Sequence, residues 1–234
     1  MRLTRILLVT ATLALIGACN EATPPDQPQN DITGQVVDAQ GHPVAGAEVI
    51  LQYYTSPPLP WQQNRPQTLI SFTMLEAGHV SVWISDYCDG EVLRQLVDGV
   101  IQAGGYAIPW DGLDDEGRFV PDSVYWFHVE TDIGLETRSL MYLRPGYDNI
   151  APDTLLASLA ITDAQGRFVL AQSCLPFGYV TPTEDGLDDH INTFTITRDV
   201  RVWAFSASTG ARGVSPVVTV DPDTGADVTV TLNP

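Results

Sequence analysis

Three aspartates stand around one glycine in the run DPDTGAD, Asp221, Asp223 and Asp227 about Gly225. Hard carboxylate oxygens at alternating positions are what a calcium ion takes. The run lacks the bidentate glutamate of a full calcium loop, and β-prone residues 217–220 and 228–232 flank it, so a hairpin turn competes with the cation. Two further acidic runs, DGLDDEG at 111–117 and TEDGLDDH at 183–190, carry the same ambiguity in weaker form, because Asp and Gly clusters are ordinary turn chemistry. The four histidines, His42, His79, His128 and His190, have no H-x-x-x-H or H-E-x-x-H spacing for zinc. No G-x-S-x-G elbow and no phosphate-cradling glycine loop is present. The chain is therefore expected not to be an enzyme and to need no cofactor. Three cysteines, Cys19, Cys88 and Cys174, remain to be read.

Cys19 has the most informative surroundings. Arg2 and Arg5 precede an apolar run over 6–16, followed by the small residues Gly17 and Ala18 and then the cysteine. A charged start and a short apolar middle make residues 1–18 a signal peptide, too short with its flanks for a stable membrane span. The Ile16-Gly17-Ala18-Cys19 end resembles a bacterial lipobox, which implies that Cys19 is lipidated and becomes the first residue. Residues 19–31, polar and rich in proline, then read as a lipidated tether. Asn20, rather than an aspartate, follows the cysteine; in Gram-negative lipoproteins that resembles the default for outer-membrane delivery. The expected partner at this end is the membrane, reached through the lipid alone. The formal net charge of -18, with eleven arginines and no lysine, repels phosphate backbones and argues against nucleic acid.

The residues that follow must fold around these groups, and their period is two. ITGQVVDAQGHPVAGAEVILQYY predicts a strand over 32–37, a turn at Gly41 and Pro43, and a second strand over 47–53. The tetrapeptide of that turn, Asp38-Ala39-Gln40-Gly41, returns at Asp163-Ala164-Gln165-Gly166. Gly34, Val36, Asp38, Gly41, Pro43, Val44, Gly46, Ala47 and Val49 together resemble the opening of the carboxypeptidase regulatory-like, transthyretin-like β-sandwich. That family's next hallmark, T-D-x-x-G-x-F, matches Thr162 to Phe168, and TFTITRDVRVWAFSAS and VSPVVTVDPDTGADVTVTL can supply its last strands. The resemblance covers 32–55 and 157–234, and it implies that the two identical turns belong to one interrupted domain.

The interruption, 67–145, has its own strand pattern at 80–84, 92–96, up to Trp110, and 124–129. It resembles the FlgD-type immunoglobulin-like domain, through Asp86 to Leu96, Ala103 to Gly112, and Gly117, Val120 and Tyr125. One extra residue near Cys88 and Ser123 in place of a glycine depart from the pattern. The hook-capping role of the namesake does not carry over, because it belongs to other parts of that protein. The whole is thus expected to be all-β, two sandwiches with one inserted in the other. Cys88 and Cys174 fall in different proposed domains; a disulfide between them would clamp insert to host, and two free thiols are equally open. The expected function is a non-catalytic, surface-tethered binding or structural module of the cell envelope with a protein or glycan partner. The alternative is a carbohydrate-binding sandwich, in which Trp110 or Trp61 would stack on a sugar unless packed in a core.

Overall fold

A computed structural model describes residues 31–58, 68–143, 147, 156–184 and 191–234. Among them the chain is all-β apart from one short 3-10 turn over Gln172–Cys174. The strands are β1 (Ile32–Val37), β2 (Glu48–Ser56), β3 (Thr68–Met74), β4 (Gly78–Asp86), β5 (Val92–Ile101), β6 (Gly104–Trp110), β7 (Ser123–Thr131) and β8 (Gly134–Tyr142). After these come β9 (Ala160–Ile161), β10 (Arg167–Leu170), β11 (Val180–Glu184), β12 (Ile191–Phe205), β13 (Arg212–Val214), β14 (Val218–Thr219) and β15 (Ala226–Thr231).

Strand pairing sorts these elements into two groups. In the first, a sheet ordered β10-β1-β15 faces one ordered β11-β12-β2-β9, with β13 and β14 also paired to β12. Alternation explains which side is dry: in β1 the side chains of Ile32 and Val36 point inward, and they meet Val49, Leu51 and Tyr53 of β2 and Val200 and Val202 of β12. The last strand closes the small sheet by lying parallel to the first, Ile32 opposite Ala226 and Val37 opposite Thr231. Gly34 makes this approach possible, since a Cβ there would stand 2.1 Å from the carbonyl oxygen of Val228 and 2.6 Å from the Phe168 ring.

The second group is β3 to β8, in which the pair β3-β6 faces a sheet ordered β5-β4-β7-β8. Its core holds Ile70 and Trp110 from one sheet and Val80, Val82, Ile84 and Tyr125 from the other. No strand of this group pairs with a strand of the first among the described residues. Side chains do cross between them: Val124 of β7 is fully buried in the first core, and Tyr87, Met141 and Leu143 pack against it. A third cluster, Ile50, Trp203, Tyr147 and Leu156 with Phe119 against it, buries the outer face of β2 and β12.

Candidate functional site

One turn recurs three times among the described residues, once inside the acidic run at 111–117; most of the run at 183–190 lies outside the described residues. Asp38 Oδ1 accepts hydrogen bonds from the backbone N–H of Gln40 and His42, both at 2.8 Å, and Asp163 Oδ1 accepts from those of Gln165 and Arg167 at the same distances. Asp114 does likewise with Glu116 and Arg118, at 3.0 and 2.8 Å. In each case the second carboxylate oxygen meets a nitrogen of the side chain four residues on: His42 Nδ1 at 3.1 Å, Arg118 Nε at 2.8 Å, Arg167 Nε at 3.3 Å. The sequence reading singled out two of these turns by their identical letters. The third was visible only as an acid cluster. Gly41, Gly117 and Gly166 supply the positive φ that closes all three. The Asp38 and Asp163 turns also touch, for the Val36 N–H donates to the Gly166 carbonyl at 2.8 Å, and Gln35 Nε2 donates to that of Gln165 at 2.8 Å.

The first calcium candidate, Asp221, closes a turn of a different pattern. Asp221 Oδ1 accepts from the N–H of Asp223 at 2.8 Å and of Thr224 at 2.9 Å, closing a turn in which Asp221 and Gly225 exchange backbone bonds. Those donors hold the Asp221 carboxyl below its ordinary range, as the N–H of His42 and of Arg167 chiefly do for Asp38 and Asp163. Asp227 instead lies on β15 and accepts from Thr33 Oγ1 at 3.1 Å. Among the described residues no three His, Cys, Asp or Glu side chains are grouped to hold a metal ion.

Cys88 and Cys174 are brought together and joined as a disulfide, their Cα atoms 4.6 Å apart across a sequence separation of 86. Cys88 sits in the turn between β4 and β5, and Cys174 ends the 3-10 turn. Beside the bond, Tyr87 stacks on Trp126 at 5.8 Å, and Ser139 Oγ hydrogen-bonds the Tyr179 hydroxyl. Trp110 is only 1% exposed, its Nε1 donating to the Leu113 carbonyl at 2.9 Å and its ring set against Tyr125 and Tyr142, so it is closed to a sugar. His128 bridges Ser85 Oγ at 2.8 Å and Thr137 Oγ1 at 2.9 Å and stacks on Trp83; burial lowers its pKa below the ordinary 6.5. Cys19, Trp61 and His190 lie outside the described residues.

A groove sits at the far end of β3 to β8. Its volume is about 560 Å³, and it opens between the end of β3 with its following turn and the β7–β8 hairpin. Phe72 and Met74 form its apolar floor, and Leu75, Ile133 and Leu135 stand on its rim. Those rim residues are 82%, 77% and 59% exposed. Glu76, Asp132 and Glu136 alternate with them along the chain. A second basin of about 630 Å³ shares Phe72, Thr73 and Glu136 and adds Tyr106 and Arg138. Along this side β8 is the last strand of its sheet and exposes its first five residues, Gly134 to Arg138, on both faces. Sequence reading missed this surface: its only signal was single apolar residues set inside polar turns, LEAGH and TDIGLE.

The fold and this groove define an all-β chain of several packed sheets with an apolar, acid-rimmed tip. No protein-family model matches the chain, and no curated protein does.

Proposed function

We propose that the chain is a non-catalytic binding or structural part of the cell envelope, anchored through lipidated Cys19 to a membrane, the outer one of a Gram-negative-type bacterium. In this reading a carboxypeptidase regulatory-like sandwich, 32–55 and 157–234, carries a FlgD-type immunoglobulin-like module, 67–145, between its second and third strands. What supports the division is that β3 to β8 pair only among themselves among the described residues. The observation that carries the function is the tip: Leu75, Ile133 and Leu135 are exposed around a groove on a chain of net charge -18. Large apolar side chains gathered in one exposed place mark contact surfaces, since folding alone gives no reason to leave them in water.

Two experiments test the reading. The substitution Cys19→Ser should move the protein from the membrane to the soluble fraction; retention on the membrane would remove the anchor from the account. Released gently from membranes, the wild-type chain should migrate as a complex, and the double variant Leu75→Ser, Ile133→Ser as a free chain. Identical migration of the two would remove the tip.

A further inference from the structure

We infer that the tip receives an extended, basic polypeptide segment that adds to β8 as a further strand. This rests on the reading of the tip as a contact surface and names what it takes. The first observation is backbone chemistry. Beyond β8 no strand follows in its sheet among the described residues, so one row of N–H and C=O groups along Gly134 to Arg138 faces outward. Proteins ordinarily blunt such an edge with a covering element or a bulge; here the register with β7 is unbroken from Ser123 opposite Tyr142 to Thr131 opposite Gly134. An incoming strand finds its hydrogen-bond partners already aligned.

The second observation is the groove beside that edge. An extended segment presents alternate side chains to one face, and the apolar floor of Phe72 and Met74 suits every second one. The third is charge. Glu76, Asp132 and Glu136 ring the groove, and Arg138 is already paired with Glu136. A segment alternating basic and apolar residues meets both demands at once. The same charges disfavour a second copy of this chain, for two molecules of formal charge -18 would be brought together at their acidic rims. A glycan offers neither the backbone ladder nor the positive charge.

The test uses the full chain and an acetylated, amidated octapeptide alternating arginine and valine. Hydrogen exchange should slow in 132–138 when the peptide is added. Three comparisons follow by anisotropy titration: the glutamate–valine octapeptide should bind at least tenfold more weakly, and the arginine–valine peptide N-methylated at every residue, along both edges, should lose binding to a similar degree. The double variant Glu76→Lys, Glu136→Lys, at exposed positions that leave the core untouched, should reverse the preference between the two charged peptides. No binding at millimolar peptide, equal binding of the N-methylated form, or protection elsewhere in the chain would overturn strand addition. Protection of 132–138 by a neutral oligosaccharide in place of the peptide would also overturn it, while leaving the tip a binding surface. Unchanged complex size in the Leu75→Ser, Ile133→Ser variant would instead remove the tip itself, so the two failures are distinguishable.

Discussion

At the end of β3 to β8 that meets the other strands, Trp110 is 1% exposed and Val124 is fully buried, while at the opposite end Leu75 is 82% exposed and Ile133 77%. Both ends belong to the same strands, some nine residues or about 30 Å apart. The near end is tied down three times over: by the Cys88–Cys174 bond, by Tyr87, Met141 and Leu143 packed on the first core, and by Phe119 lying against Tyr147, Leu156 and Trp203. The far end carries an apolar rim that no part of the described chain covers. Burial is what the fold requires of its apolar residues, so the near end is explained by stability. In the proposed reading the far end is explained by contact with something else.

Substitutions should separate the two ends by size of effect. Trp110→Ala removes the largest fully buried side chain and should lower the unfolding free energy by about 3–5 kcal/mol, read from denaturant unfolding. Replacing Cys88 and Cys174 together by serine frees a long loop and should cost about 2–4 kcal/mol. A loss in both strand groups would show that the clamp stabilises them jointly; a loss confined to one would break the picture of a shared base. Acid should act next. The half-buried imidazole of His128 resists protonation in the folded state, so its contribution is complete above about pH 6.5 and is lost as pH falls below it. His128→Gln should flatten stability just below pH 6.5, a window clear of Asp38 and Asp163, whose lowered pKa values act below the ordinary 3.8. Smallest of all, Leu75→Ser with Ile133→Ser should change stability by less than about 0.5 kcal/mol, since neither side chain leaves the solvent on folding.

What could be read from the sequence follows the same division between local and distant causes. Alternation gave β1 its bounds, and the Asp38 and Asp163 turns were legible because an aspartate, its acceptor bonds and its glycine lie within five residues. The strand expected over 47–53 runs in fact over Glu48–Ser56, extended by its long antiparallel partner β12, which is not a local matter. The Asp114 turn was obscured by its different letters. The joining of Cys88 to Cys174, the parallel pairing of β1 with β15, and the placement of Val124 in the first core all depend on contacts between residues 86 or more apart or on the docking of one strand group on the other. The rim of Leu75, Ile133 and Leu135 has the same origin, because two turns some 58 positions apart make it only when β4 and β7 pair.

The claim that the near end serves the fold and the far end serves contact is tested most directly by photo-crosslinking in intact cells. A photoreactive residue at position 133, on the tip, is compared with one at position 161, an isoleucine of the first strand group that is also well exposed at 65%. Comparable exposure with different position isolates the role of the tip. Adducts from 133 and none from 161, abolished by charge reversal at Glu76 and Glu136, are the predicted result. Adducts of equal yield from both positions, or from 161 alone, would contradict it.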